Sequence, residues 1–442
     1  MNEAPQRGKT ASPAPQSFAA LRHPGYRSYF LLAALAMMAD SIEHVISYWI
    51  MFQKFHSPAL GGFAVLSHWL PFLFFSMWSG GLADRFDPRR IIQLGMLLFM
   101  SVSFAWGILF ITDALQVWHA AVLLVIHGFA GVFWSPASQL LLHDIVGPVH
   151  LQSAVRLNAT SRTLGLLLGP AVGGALMLAL GPAHGILANV LIYLPLTIWL
   201  WKAPYGPLFR TGTAAPRRAV RGLEDVKQVI REVAGNRTIV SMTLLAGAAS
   251  LFVSGGYQAQ MPEFAHDLGH GKADLSYSML LAADAAGALT AGFALESRGL
   301  LPANPRTAFL LAMLWCLAIG SFAAVSSYPA SLALLFVAGF LELSYYSMAQ
   351  TLVQLHAPEA MRGRVIGLFN MSAAGMRAFS GVTIGLVGSL IGIHWSLALS
   401  SLCLLATIGL LIAFTLPPRF RIKATSANRN SASSVSRSTR RR

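Results

Sequence analysis

Long apolar stretches alternate with short polar ones along almost the whole chain. Each is close to the roughly 20 residues an α-helix needs to cross the hydrocarbon of a bilayer. They predict spans at about 28–52, 59–82, 91–111, 117–142, 151–179 and 183–202, and again at about 238–261, 273–296, 306–325, 330–356, 361–391 and 393–416. Polar residues collect at the two ends and in one central loop, 203–237. The expected fold is an all-α membrane protein of twelve transmembrane helices in two six-helix halves, 28–202 and 238–416.

Composition agrees. Of 442 residues, 55% are hydrophobic and 11% charged, and the mean hydropathy is +0.58, whereas soluble domains carry about a quarter charged residues. The net charge of +15 raises the question of nucleic acid, but the basic residues sit in short loops and two tails, not on one face. Lys and Arg are retained on the cytoplasmic side, and an inward N-terminus puts about 27 of the 32 there, including Arg217, Arg218, Arg221, Arg362 and Arg364. Lys54 and Lys272 are then left outside, so both termini are expected in the cytoplasm. Cys316 and Cys403 lie in apolar segments and offer neither a disulfide framework nor a metal site. No cleaved leader is expected within the tail 1–27, whose first 18 residues, like the tail 417–442, are too polar to build a core.

In the central loop Val220, Leu223, Val226, Val229 or Ile230, and Val233 recur at helical spacing opposite charged residues, predicting an amphipathic surface helix that links the halves or docks a partner. Sliding the chain by 212 residues lays Asn158 on Asn370 and Gly169 on Gly381, a faint internal repeat at corresponding spans.

Two strings carry a more specific signal. Between spans two and three stands GGLADRFDPRR, with Gly80, Asp84, Arg85, Arg89 and Arg90; span five carries GLLLGPAVGG, with Gly165, Gly169, Pro170, Gly173 and Gly174. Together with twelve spans in two halves, they resemble the major facilitator superfamily over about residues 20–420. The resemblance implies that Asp84 latches the cytoplasmic side against the N-terminus of span eleven, where an acid suits the positive helix end. Asp87 and Pro88 depart from the usual loop pattern. The second string resembles the superfamily's antiporter signature; its small residues let helices approach closely and Pro170 would bend the span. FWSPASQLLLHDIV, LQSAVRLN and APEAMRGRVIGLFN resemble the branch of enterobactin exporters and macrolide efflux proteins. A multi-pass protein of the bacterial inner membrane follows from the resemblance.

A charge within a span costs at least about 2.5–3.5 kcal/mol on insertion scales, so each marks a functional site by default. Asp40 and Glu43 share a face of span one beside His44; Arg162, Asp284, Glu342 and Arg377 lie in spans five, eight, ten and eleven. The superfamily's cavity is lined by spans one, four, seven and ten, which makes Asp40, Glu43 and Glu342 candidates to carry a proton, with Asp284 either joining them or serving as a structural partner. Arg162 and Arg377 either clamp an anionic or hydrogen-bonding cargo or neutralise an acid such as Asp40 or Glu43. Gln350, Gln354, Tyr345 and Tyr346 suggest a polar and aromatic cavity wall, while His68 and His127 read as lone packing groups. In an outer loop His266 and His270 stand four apart near Glu263 and Asp267, but Gly269 and Gly271 favour a solvated loop over a metal site.

No HExxH, GxSxG or Walker string occurs, so neither enzyme chemistry, a cofactor nor ATP drive is expected. The reading is a proton-coupled exporter of a small amphipathic molecule such as a siderophore or drug, working by alternating access as a monomer, with protons, cargo and lipid as its only partners and no nucleic acid. A lysolipid or lipid flippase of the same fold and a non-transporting sensor or scaffold are the alternatives.

Overall fold

A computed structural model describes residues 17–55, 58–209, 223–254, 256–268, 275–298, 300–380, 384 and 387–416. The first three helices are α1 (Pro24–Phe55), α2 (Pro58–Arg85) and α3 (Pro88–Ile111). The run α4 (Val117–Lys202) is nominally one helix of 86 residues, which unbroken would be about 129 Å long at 1.5 Å per residue, against a hydrocarbon thickness of about 30 Å. It turns sharply at Gly147 and Gly181, where φ is 68° and 77°. Glycine is required at both: the left-handed region penalises a Cβ, and each precedes a proline, Pro148 or Pro182, that disfavours a helical conformation before it. The segment after Gly181 folds back on the one before it, and Gly185 sits against the backbone of Leu176. The resulting stretches, 117–146, 148–180 and 182–202, match the predicted fourth, fifth and sixth spans.

Beyond the linker come α5 (Leu223–Ala234), α6 (Arg237–Phe252), α7 (Gly256–Ala259), α8 (Met261–Asp267), α9 (Leu275–Ser297), α10 (Pro305–Ala324), α11 (Tyr328–His356), α12 (Arg362–Ala373), α13 (Val387–Ile391) and α14 (Ile393–Thr415). Two predicted spans are broken. The seventh stops at Phe252 and resumes as α7 and α8, and the eleventh gives way after Ala373 to a 3-10 turn, Gly375–Phe379. In α5, Val229 and Val233 are buried while Ile230 is exposed, which settles the inward face of the amphipathic helix. Val220, Arg217, Arg218, Arg221, His270 and Lys272 lie outside the described residues, as do 1–16 and 417–442. The expectation of a structureless tail through residue 18 fails at its end. Phe18 N–H donates to the carbonyl of Glu296 at 3.3 Å and Ser17 to that of Ser297.

Apolar side chains gather into separate cores. Tyr26, Tyr29, Phe99 and Tyr193 are buried among α1, α3 and α4, and Trp315, Phe309, Phe264 and Tyr257 among the helices after α5. Each bundle lends a residue to the other: Met77 of α2 is buried in the second core and Ile366 of α12 in the first. That exchange rests on close approach of α2 and α12. A Cβ at Gly80 would overlap the carbonyl of Gly363, and one at Gly363 the carbonyl of Gly80.

Candidate transport site and its latch

The loop motif lies where the bundles meet. Asp84 at the end of α2 accepts from the backbone N–H groups of Gly363 (2.6 Å) and Arg364 (2.9 Å), the first turn of α12, and stands 3.7 Å from the Arg364 guanidinium. A carboxylate there meets both the unpaired N–H groups and the positive end of the helix dipole. The other motif residues do different work. Asp87 caps α3, accepting from Arg89 N–H at 3.0 Å with Pro88 at the first helical position, which gives the departure from the usual loop pattern a physical reason. Arg89 is buried, bound to Asp87 (2.6 Å) and to the carbonyl of Ala203. Arg90 lies over Trp201, so Arg89 and Arg90 fasten their own bundle and not the latch, while Arg85 is exposed over its neighbour Phe86.

The same end carries a second, unforeseen set of contacts. Glu296 at the end of α9 is buried, accepts from Ser153 and stands 3.9 Å from Arg156, both at the start of the 148–180 stretch. Gln152 donates to the carbonyl of Leu301 at 2.7 Å. The 212-residue offset already laid Glu296 on Asp84 and Gly292 on Gly80, so the repeat held a signal that the loop motif alone did not. Deeper in, Gln354 donates to Gln139 (3.3 Å), Gln139 to Asn370 (3.0 Å) and Asn370 to Ser135 (3.1 Å), a buried polar chain tying the bundles together. Gln354 is thus part of the closed end and not of a cavity wall, and Gln350 is likewise buried. Tyr345 packs on Trp315 in the second core, leaving Tyr346, half-buried against Phe369, as the aromatic that faces inward.

Asp40 and Glu43 sit on one face of α1 as predicted, but among histidines. Asp40 Oδ1 is 3.1 Å from Nε2 of His127 and Glu43 Oε1 is 2.7 Å from its Nδ1. Glu43 also accepts from Ser103, which Asn189 bonds at 3.3 Å, so Glu43 lies inside the first bundle, turned away from the cleft. His44 Nδ1 donates to Asp40's carbonyl (2.8 Å), and its Nε2 stands 3.3 Å from His68. His68 and His127 are therefore not lone packing groups; His44 and His127 meet Asp40, and His68 meets His44. Helical periodicity could not join residues from α1, α2 and α4.

Across the cleft, Glu342 accepts from Ser254 (3.1 Å) and Tyr257 (3.4 Å), and the same Tyr257 hydroxyl lies 3.3 Å from both oxygens of Asp284. Gln258 donates to Asp284 at 3.2 Å. The break after α6 is what delivers Ser254, Tyr257 and Gln258 to this pair. Between the two acidic groups lie the arginines. Arg377, on the 3-10 turn, stacks 5.2 Å from the Trp69 ring, beside His68. Arg162 is accessible to solvent although protein surrounds it, and it lies within electrostatic range of Arg377, Tyr346, Asp40 and Glu342. Neither arginine is in an ion pair with Asp40 or Glu43 among the described residues.

The glycines of span five pack on α1 at the acidic site. A Cβ at Gly165 would press on Met37 and Met38, and one at Gly169 on Ser41, the neighbour of Asp40. Gly173 is in ordinary contact with Ile42, Gly174 has open space, and the backbone at Pro170 stays helical, so the tight interface spans the first two glycines only and the sharp turns are elsewhere. Gly169→Val is accordingly expected to drive α1 and Asp40 out of place, costing about 1–3 kcal/mol of packing. It should cut transport at least tenfold while Gly174→Val leaves it within twofold, as initial flux in proteoliposomes would show. The His266 and Asp267 pair at the other end is exposed, with Asp267 also 3.4 Å from His394.

A model of transmembrane secretion effectors, one of the major facilitator families, matches residues 15–442. The chain belongs to that family. It is 23% identical over 413 residues to the multidrug efflux pump Tap of Mycolicibacterium fortuitum, covering 88% of this chain and 95% of that protein. It is 20% identical over 184 residues to the staphyloferrin A transporter of Staphylococcus aureus, covering 40% of this chain and 46% of that protein. The chain spans less than half the length of the first curated relatives it matches. The crystal structure of the Escherichia coli fucose:proton symporter FucP superposes with a TM-score of 0.68 at 13% identity, covering 91% of this chain and 100% of that one. The fold is that of the major facilitators.

Proposed function

We propose that the chain is a proton-coupled exporter of a small, amphipathic, anionic molecule, working by alternating access between the two bundles. The observation that carries this reading is the arrangement across the cleft. Asp40 with its histidines stands on one side, Glu342 with Asp284 on the other, and Arg162 and Arg377 lie between them. Two guanidinium groups close enough to repel one another are stabilised by an anion between them, and planar donors suit a carboxylate. The cluster at Asp40 supplies groups that can hold a proton while cargo is absent. Similarity to a multidrug efflux pump supports export, and similarity to a staphyloferrin A transporter supports a small organic cargo. In this reading the Asp84 end faces the cytoplasm, where the positive loops place it. The latch and the Glu296 contacts close that side, and cargo leaves when they are made. The two six-helix halves 28–202 and 238–416 are the moving bodies and the 203–237 segment their tether.

The test is transport by the full chain in proteoliposomes with an imposed pH gradient, over carboxylate siderophores, cationic drugs and lysolipids. Accumulation of an anionic amphiphile that a protonophore abolishes is the expected result. Gradient-independent movement of lysolipid, or drive limited to cations, would contradict it.

A further inference from the structure

Three histidines from three helices can each offer one ring nitrogen such that the donors all lie within 4.8 Å of one another: His44, His68 and His127. Their hydrogen bonds limit where protons can be. His44 Nδ1 faces the backbone carbonyl of Asp40 at 2.8 Å, which can only accept, so that nitrogen carries its hydrogen and Nε2 keeps a lone pair. His127 Nδ1 faces the Glu43 carboxylate at 2.7 Å and donates in the same way. A carboxylate or carbonyl holding one ring nitrogen so that the other is free is the outer-shell arrangement of metal-binding histidines. The freed atoms converge. His44 Nε2 is 3.3 Å from His68 Nδ1, and His127 Nε2 is 3.1 Å from Asp40 Oδ1.

The second of these contacts is unsatisfied. His127 Nε2 and Asp40 Oδ1 are both buried, and although close they lie off the angle for a hydrogen bond, leaving each without a hydrogen-bond partner among the described residues. Two acceptors cannot face each other at this distance, so a cation must answer them, either a proton on Nε2 or a metal ion nearby. Donors at about 2.0–2.1 Å from a tetrahedral zinc ion are roughly 3.3–3.4 Å apart, and the His44–His68 contact already has that spacing. We propose that His44, His68 and His127 form a binding site for a divalent transition metal of the zinc type, with a fourth position left for water and Asp40 beside it. Three imidazoles select such ions over magnesium or calcium, which prefer all-oxygen sets. Glu43, held by Ser103, positions His127 without binding the ion. The site does not depend on proton coupling or on the identity of the cargo.

The experiment uses the full chain in detergent, purified through a tag without histidine. Zn²⁺ affinity is measured by competition with a chromophoric chelator and Co²⁺ by visible absorption. The expected result is one Zn²⁺ per chain, intense tetrahedral Co²⁺ bands, a loss of at least tenfold in affinity in His68→Ala, and no change in His266→Ala. Equal affinity in the natural chain and a folded His68→Ala would overturn the proposal, as would a natural chain without tetrahedral Co²⁺ bands. The Co²⁺ spectrum of the natural chain decides the matter alone if His68→Ala does not fold. Failure here with gradient-driven flux intact would remove the metal and leave the transport reading standing; the reverse outcome would do the opposite.

Discussion

Asp40→Asn is expected to abolish concentrative, gradient-driven efflux, with a loss of at least a hundredfold, while downhill exchange of cargo across the membrane continues. Asparagine keeps the shape of the side chain and its place beside His127 but can neither bind nor release a proton. A carboxylate in a span costs about 2.5–3.5 kcal/mol or more to insert, and its only gain over the amide is charge. Glu43→Gln should do less to drive and more to stability, because Glu43 is turned into the first bundle and holds Ser103 and His127 together. Flux assays with and without an imposed gradient separate the two effects. Equal loss of driven flux and downhill exchange in Asp40→Asn would reduce Asp40 to a structural group.

The second large effect falls on the latch. Asp84→Asn places an amide NH2 against the Arg364 N–H or the Gly363 N–H, since only one oxygen remains to accept from two donors. Hydrogen bonds to a charged group contribute about 1.5–3 kcal/mol each. Loss of about 2 kcal/mol would shift the balance between closed and open ends by roughly 30-fold. Spin labels at the exposed positions Phe86 and Glu359, in a chain whose Cys316 and Cys403 are replaced by serine, report the separation of the two sides. The natural chain should give mainly the short distance and Asp84→Asn mainly a longer one. An unchanged distribution would mean that Gly80, Gly363 and the Glu296 contacts hold the end shut without Asp84.

Much of the fold was legible because bilayer crossing leaves a strong trace, a run of about 20 apolar residues, and because Gly147–Pro148 and Gly181–Pro182 mark turns within an otherwise continuous helix. The breaks in the seventh and eleventh spans did leave a trace, SGGYQAQ at 254–260 and AGMRAFSG at 374–381, whose glycines and polar residues the predicted spans ran through. The Asp84 latch was legible from its motif. What the sequence concealed is contact between distant positions. His68 and His127 gain their meaning only from Asp40 and Glu43 on another helix, Gln354 from Gln139, and Glu296 from Ser153 and Arg156. The amphipathic spacing that put Asp40 and Glu43 on one face could not show that one would look toward the cleft and the other toward Ser103.

The most direct measurement of the central claim is proton movement coupled to cargo. Proteoliposomes containing a pH indicator are given the cargo with no initial pH gradient, and the natural chain is compared with Asp40→Asn. The account predicts proton flow opposite to the cargo in the natural chain, and cargo movement without proton flow in the variant. Cargo flux with no accompanying proton flow in the natural chain, or identical proton flow in both, would contradict it.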